Sequence, residues 1–443
     1  MMKKTLIALS ITFLSQPLFA ADLLQSWQAA QKYDANFAAA RAGLDAGREK
    51  TEQGKALLLP HISLSGNANR SMVDNSAGKN SSSFNYDKNG NSYGYELKLA
   101  QPIYRAEAFA GADQLKKQTE QAEVLFRVAE QDLILRVAKA YFEVLGSEEK
   151  VKQTTAQKEA VAQQLAQAKK SFEVGVSTIT DTDEAQARFD AIVSAEIAAH
   201  NDMAIKRNAY ELLTQLNPTQ LSPISNRQQP TPPQPNDMAT WLQRSETGSL
   251  VIAGQQLGLD IASREIDKYR LESSPTLDLV AGYGDAWKSA GLSSSGGLDR
   301  AGSGQIGLQL SIPLYTGGDR SSKLREAIAK KEQQRQTVEA SRRDTTQLTK
   351  QAFLGVSSGA AQIVALQQAL KSSESSLAST KLGREVGVRT TIDVLNAEQT
   401  YFSTRYDLTV ARYTYLYARL QLAATSGELS EKDLNSVNLW LGN

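Results

Sequence analysis

Four short runs of the chain alternate apolar and polar positions with a period of two. Ile62, Leu64, Gly66 and Ala68 alternate with Ser63, Ser65, Asn67 and Asn69, and Tyr93, Tyr95, Leu97 and Leu99 alternate with Gly94, Glu96, Lys98 and Ala100. Further on, Leu277, Leu279, Ala281 and Tyr283 alternate with Thr276, Asp278 and Gly282, and Ile306, Leu308, Leu310 and Ile312 with Gln305, Gly307, Gln309 and Ser311. Such a pattern, sustained over about ten residues, predicts strands with one apolar and one polar face, the signature of a membrane barrel wall. Polar stretches rich in Ser, Gly and Asn, Ser71 to Asn91 and Asp285 to Gly304, would join each pair as a surface loop. A half-buried sheet of a soluble protein alternates identically, so the helices decide between the two.

The stretches from Ala106 to Val174 and from Asp319 to Val386 contain no proline and little glycine. Each predicts a helix on the order of 100 Å long, too long to leave a compact core for a sheet to cover. Shorter helices are expected at about 23–58, 178–216, 239–273 and 390–425. In the first long helix Leu133, Val137, Tyr141 and Val144 form one apolar stripe and Leu135, Ala138, Phe142 and Leu145 another. Two stripes imply two neighbouring helices, as in a cylinder wall. Four strands cannot close a barrel, and an open edge in hydrocarbon leaves backbone groups unpaired at several kcal/mol apiece, so closure requires other copies. Two copies give an eight-stranded, filled barrel and three give twelve strands with room for a lumen; the pattern does not choose.

The chain repeats itself. Val174-Gly175-Val176-Ser177-Thr178-Ile179-Thr180-Asp181 returns as Val386-Gly387-Val388-Arg389-Thr390-Thr391-Ile392-Asp393, an offset of 212 residues. Nearly the same offset relates Ala140-Tyr141-Phe142 to Ala352-Phe353-Leu354, Gln101-Pro102-Ile103-Tyr104 to Ile312-Pro313-Leu314-Tyr315, and Pro60 to Pro275. Between the halves runs a proline-rich stretch from Asn217 past Pro235, which cannot be helix or inner strand. It is either an exposed connector or part of a small equatorial element. The expected organisation is a signal segment at 1–20, a first repeat at 21–216, the linker at 217–238, a second repeat at 239–426 and a C-terminal segment at 427–443. Pro60, Pro102, Pro275 and Pro313 each stand where a helical run meets a strand-like one, and their fourfold recurrence suggests a shared barrel–helix junction.

Met1-Met2-Lys3-Lys4, an apolar run from Thr5 to Leu14, and Ala20-Ala21 have the layout of a secretory signal cleaved near Ala21. The chain has no cysteine, hence no disulfide, thiol nucleophile or lipid-modified N-terminal cysteine. With 49 basic and 48 acidic residues it carries no field for nucleic acid. The two histidines, His61 and His200, sit in no metal-ligand or triad spacing, and Gly291 to Gly297 lacks the lysine of a phosphate loop. The sequence therefore predicts a non-enzyme with no cofactor and no metal.

These residues resemble the TolC-like outer-membrane efflux family, whose halves each carry two strands, two long-helix elements and the turn Val-Gly-x-x-Thr-x-x-Asp. The resemblance covers essentially the whole mature chain and is closer to the unlipidated members. It implies an α+β membrane protein, internally duplicated: a homotrimeric β-barrel, four strands per chain, continuous with a long periplasmic α-helical barrel. Such a channel would be the exit duct of a tripartite efflux pump or type I secretion system in the Gram-negative outer membrane. It would pass drugs, small molecules or proteins. Its partners would be outer-membrane lipid, a periplasmic adaptor (membrane fusion) protein and an inner-membrane transporter of the RND or ABC type.

By the same resemblance Asp181 and Thr180 in the first half and Arg389 in the second match the periplasmic gate, with Arg389 pairing to Asp181 or Thr180 on an adjacent helix. Arg384 stands where some members carry an aromatic gate partner. Asp393 would face the lumen, with Asn396 on its face three residues on, and threefold symmetry would make it a carboxylate constriction. Gly175, Val176, Gly387 and Val388 mark the helix-turn tips where an adaptor would touch. A second reading stays open: Thr178-x-x-Asp181 and Thr390-x-x-Asp393 both fit capping boxes, in which the Asp serves the backbone alone. A rival to the duct is a structural or adhesive trimeric coiled-coil envelope protein, although such proteins usually place their strands at one end of the chain.

Overall fold

The computed structural model describes residues 21–75, 86–219, 221–225, 228–289, 292 and 298–442. The expected signal segment at 1–20 lies outside the described residues, as do 76–85, 290–291 and 293–297 of the expected loops. The described elements run α1 (Leu23–Tyr33), α2 (Ala35–Ala56), β1 (His61–Asn75), β2 (Tyr86–Tyr104), α3 (Ala106–Glu173), α4 (Ile179–Thr214), α5 (Met238–Gly248), α6 (Leu250–Leu271), β3 (Thr276–Ser289), β4 (Leu298–Ser311), α7 (Asp319–Glu385), α8 (Thr391–Thr425) and α9 (Glu431–Asn438). Among the described residues no helix is long and apolar enough to cross a membrane. The chain divides into two compact units, each drawing on both sequence halves. Among the described residues, one takes those up to Arg41, Arg127–Leu250 and those from Arg342 on, the other those within Ala42–Phe126 and Val251–Ser341.

The second unit holds one antiparallel sheet in the order β1-β2-β3-β4, so the hairpins of the two repeats join through β2 and β3. The strands outrun the apolar alternation that predicted them. Ser71 pairs with Gly90 and Asp285 with Gly302, so much of both expected loops is strand. The reason is that a hairpin ladder satisfies backbone N–H and C=O groups whatever the side chains, so pairing continues past the end of the apolar band. Pro102 opposes Asp278 while Tyr104 opposes Leu277, a register shift at a residue with no N–H to give the ladder. β1 and β4 are the edges of this sheet, and β4 turns Ile306, Leu308 and Leu310 outward with none less than 62% exposed. On the other face the Arg105 guanidinium grips both carboxylate oxygens of Asp278 at 2.9 and 2.7 Å.

Two helices expected to be single are broken, one at Asp34 and one at Ser249. Asp34 closes α1 through its N–H to Ala30 O (2.8 Å), turns extended, and then accepts the Phe37 N–H of α2 at 2.9 Å. Its carboxylate also takes two bonds from Arg136, at 3.1 and 2.7 Å. This pairing outweighs burial and holds the Asp34 carboxyl below its ordinary range. Ser249, with ψ of 120°, breaks α5 from α6. It lies 215 residues after Asp34, the offset that also separates Pro60 from Pro275, so the break belongs to the repeat.

The first unit buries Leu133, Val137, Tyr141 and Val144 as the sequence stripe requires. The second stripe corrects by one position: Leu135 is half-buried, and Ile134 is buried with Ala138, Phe142 and Leu145. The fully buried Tyr141 donates toward Ala21 O and Ser222 O at 3.1 and 2.9 Å, and burial pushes its phenol well up. The proline-rich stretch is held against the unit's core. Leu221 bridges Ala21, Ile224 bridges Leu441, and Thr231 exchanges two bonds with the Tyr415 hydroxyl at 3.0 and 2.8 Å.

Candidate functional site at the helix-turn tips

The two repeated motifs close the α3–α4 and α7–α8 hairpins by one construction. Gly175 and Gly387 adopt φ of +77° and +84°, a left-handed turn that a side chain would strain. The Val176 N–H reaches back to Ser171 O and the Gly175 N–H to Phe172 O, both at 2.9 Å; Val388 and Gly387 do the same to Gly383 O (2.9 Å) and Arg384 O (3.0 Å). This is the doubled bond of a Schellman helix end, which satisfies carbonyls the helix leaves orphaned. The flanking Val176 and Val388 are 79% and 75% exposed, an apolar knuckle on each tip.

The outgoing helices start with capping boxes. The Asp181 N–H donates to Thr178 Oγ1 (3.3 Å) and the Thr178 N–H to Asp181 Oδ2 (3.1 Å); at the second tip the Asp393 N–H donates to Thr390 Oγ1 (3.1 Å) and the Thr390 N–H to Asp393 Oδ2 (2.8 Å). Of the differences between the two motifs, one touches the capping carboxylate. Ser177 Oγ donates to Asp181 Oδ2 at 2.7 Å, and with the Thr178 N–H and hydroxyl this keeps the Asp181 carboxyl below its ordinary range. Arg389 occupies the Ser177 position. Asp393 is lowered by the Thr390 N–H and hydroxyl, with a smaller contribution from the Arg389 charge.

Capping thus accounts for one oxygen of each Asp, and the recorded partners of Asp181 all come from its own turn. Arg389 instead folds back over α7, where a Cβ at Gly383 would come within 2.8 Å of Arg389 Cγ. Thr180 and Asn396 are exposed, and Asp393 is half-buried. Arg384 donates to Gln164 of α3, and Arg188 of α4 to Gln399 of α8 at 3.4 Å, two links between the hairpins within the chain. Of the prolines, Pro60 and Pro275 immediately precede β1 and β3, Pro102 sits in β2 at the register shift, and Pro313 lies two residues past β4.

Sequence reasoning missed three features. Ser177 is a hydrogen-bond partner of Asp181, not only the counterpart of Arg389. Gly383 makes room for Arg389. Glu398, 2% exposed, pairs with Lys381 at 2.8 Å, where the first repeat places Gln186 against Lys169 at 3.1 Å. The 212-residue offset applied to Lys169 and Gln186 finds this last pair.

The sequence profile of the family described as "Outer membrane efflux protein" matches residues 27–214 and 241–428, one copy in each half. The chain belongs to the outer membrane efflux protein family. It is 28% identical over 446 residues to outer membrane protein TolC of Vibrio cholerae, covering 99% of both chains. It is 30% identical over 429 residues to the alkaline protease secretion protein AprF of Pseudomonas aeruginosa, covering 96% of this chain and 89% of that one. Among solved structures, the fold matches the Campylobacter jejuni CmeC outer membrane channel with a TM-score of 0.78 at 16% identity, over 94% of this chain and 88% of that one. As a member of this family, the efflux protein is placed in the outer membrane of a Gram-negative bacterium.

Proposed function

We propose that three copies of this efflux protein close their sheets into a twelve-stranded barrel that opens into a helical tube through the periplasm. The assembly is the exit duct of a tripartite efflux or type I secretion machine. The sheet carries this reading: it exposes an apolar face on β4 and has edges at β1 and β4. Edges left open in hydrocarbon cost several kcal/mol per unpaired group, and a ring of copies removes them. The equatorial element is the proline-rich stretch packed on Tyr141 and Tyr415.

At the periplasmic end the tips carry the working parts. Val176 and Val388, raised on the turns of Gly175 and Gly387, present apolar knuckles to the adaptor protein that couples the duct to an inner-membrane transporter. Arg389 of one copy, free of Asp181 in its own chain, reaches Asp181 or Thr180 of the next and holds the tips closed, while Arg384 ties α7 to α3. Asp393, whose second oxygen the capping box leaves available, lines the lumen with Asn396. The similarity to AprF, whose name records alkaline protease secretion, supports proteins among the cargo.

Reconstitution into a planar bilayer, with native mass spectrometry of the same preparation, tests the reading. A three-chain assembly with discrete conductance steps is the expected result. A non-conducting trimer would favour the adhesive reading, and any other copy number would overturn the twelve-stranded barrel.

A further inference from the structure

On the apolar face of the sheet the aliphatic band ends in a ring of aromatic and charged residues at the hairpin-turn end. The register sets Leu64, Leu97 and Tyr283 at one level, Tyr95 opposite Asp285 at the next, and then Ala68, Tyr93, Trp287 and Arg300 in line across all four strands. All share the face of Leu277 and Leu310, because side chains alternate with a period of two. From Leu277 to Trp287 is ten residues, which at the tilt of a membrane barrel makes a band about 25 Å tall. The aromatic residues therefore stand where an aromatic girdle meets lipid headgroups.

Within this girdle lies a built polar cluster. Asp285, with only 2% of its side chain exposed, accepts from Arg300 Nε and Nη2 at 3.0 and 2.9 Å and from the Tyr95 hydroxyl at 2.7 Å. The Trp287 ring lies 5.8 Å from the Tyr95 ring and 5.9 Å from the Arg300 guanidinium. Asp285 thus accepts three bonds and is buried, while the guanidinium has donors to spare: its side chain is 63% exposed, and three of its five N–H donors are not used on Asp285. One pleat nearer the turn on β1, Arg70 is exposed on the same face. A cation pinned in position by a carboxylate and a ring, at headgroup depth and facing outward, matches a phosphate group.

We infer that Arg300, oriented by Asp285, Tyr95 and Trp287, binds the phosphate of an outer-leaflet lipid. Closure of the sheet between copies sets the strand carrying Arg300 beside the strand carrying Arg70, giving the site a second cation. The inference rests on the reading that the apolar face meets lipid. Its selectivity is for phosphorylated over uncharged headgroups, because the remaining donors meet an anion and the rings sit against the acyl boundary.

The full-length protein in detergent, given bisphosphorylated lipid A, the same glycolipid stripped of phosphate, or inorganic phosphate, is read by native mass spectrometry. Retention of lipid A about tenfold above the stripped form is expected, with about a tenfold loss in Arg300→Gln. Asp285→Asn, which loosens the guanidinium but leaves its charge in place, should cost clearly less than Arg300→Gln; equal loss in both variants marks a merely structural pair and overturns the site. Equal retention of the two glycolipids overturns it too, and displacement of lipid A by inorganic phosphate reassigns it to free anion. Quenching of Trp287, the one tryptophan of the sheet, by brominated lipid in proteoliposomes checks the membrane face separately. Quenching without lipid A preference sinks the phosphate site alone, whereas absence of quenching sinks the membrane reading beneath it.

Discussion

Ser177 donates to Asp181 across a 2.7 Å bond for which the second tip has no counterpart, because Arg389 stands in its place. The two tips share a backbone and differ in the polar group beside the capping carboxylate. One carboxylate is bound locally by three donors, and the other leaves a cation at its side. Replacing Ser177 with Ala removes the largest influence that lowers Asp181, so its carboxyl should move up toward the ordinary range. Carboxyl-carbon NMR titration of labelled protein reads the shift, and an unmoved titration would place the control with Thr178 alone.

Arg389→Ala and Asp181→Ala should each raise single-channel conductance roughly severalfold, by releasing the proposed charge-assisted bond between copies. The double variant should add little to either single one, since both remove one interaction. Additive effects would show that the two residues act on the closed state separately.

Asp393→Asn should weaken block by multivalent cations by roughly tenfold, since in the proposed trimer three carboxylates at one level become three amides. The amide can still accept the Thr390 N–H, so the helix start survives. Undiminished block would leave Asp393 as a cap and nothing more.

Asp34 offers a test away from the tips. Asp34→Asn weakens the two bonds from Arg136 and should cost about 2 kcal/mol near neutral pH. The native carboxyl titrates below its unfolded value, so its stabilisation is present above the unfolded pKa of about 3.9 and is lost as pH falls through the native one. Thermal melts of wild type and variant should therefore converge as the pH is brought below the native value. A gap that persists there would mean the loss is steric.

How far the sequence carried the structure depends on what each signal measures. Alternation located all four strands, because Ile62, Leu97, Leu279 and Leu308 mark a face that must be apolar. It stopped short of the strand ends, because Ser71 and Gly302 are held by the backbone ladder alone. Long helices were legible from missing proline. The breaks at Asp34 and Ser249 were not, since neither residue is a helix breaker and each is set by local backbone bonds. At the tips, Gly175, Thr178 and their copies announced a turn and a cap. The packing of Arg389 over Gly383 depends on a neighbouring helix turn, which no motif of contiguous residues records.

The seam between the halves has one more consequence. Tyr104, two residues past Pro102, pairs with Leu277 inside a single chain. The duplicate of Tyr104 is Tyr315, two residues past Pro313 and 88% exposed, and the duplicate of Leu277, by the offset that relates Pro60 to Pro275, is Ile62, 61% exposed. The internal seam is thus a mould for the external one: in a closed ring Tyr315 falls opposite Ile62 of the following copy. Since the chain has no cysteine of its own, a cysteine introduced at each of these two positions would lock such a ring covalently, one link per subunit.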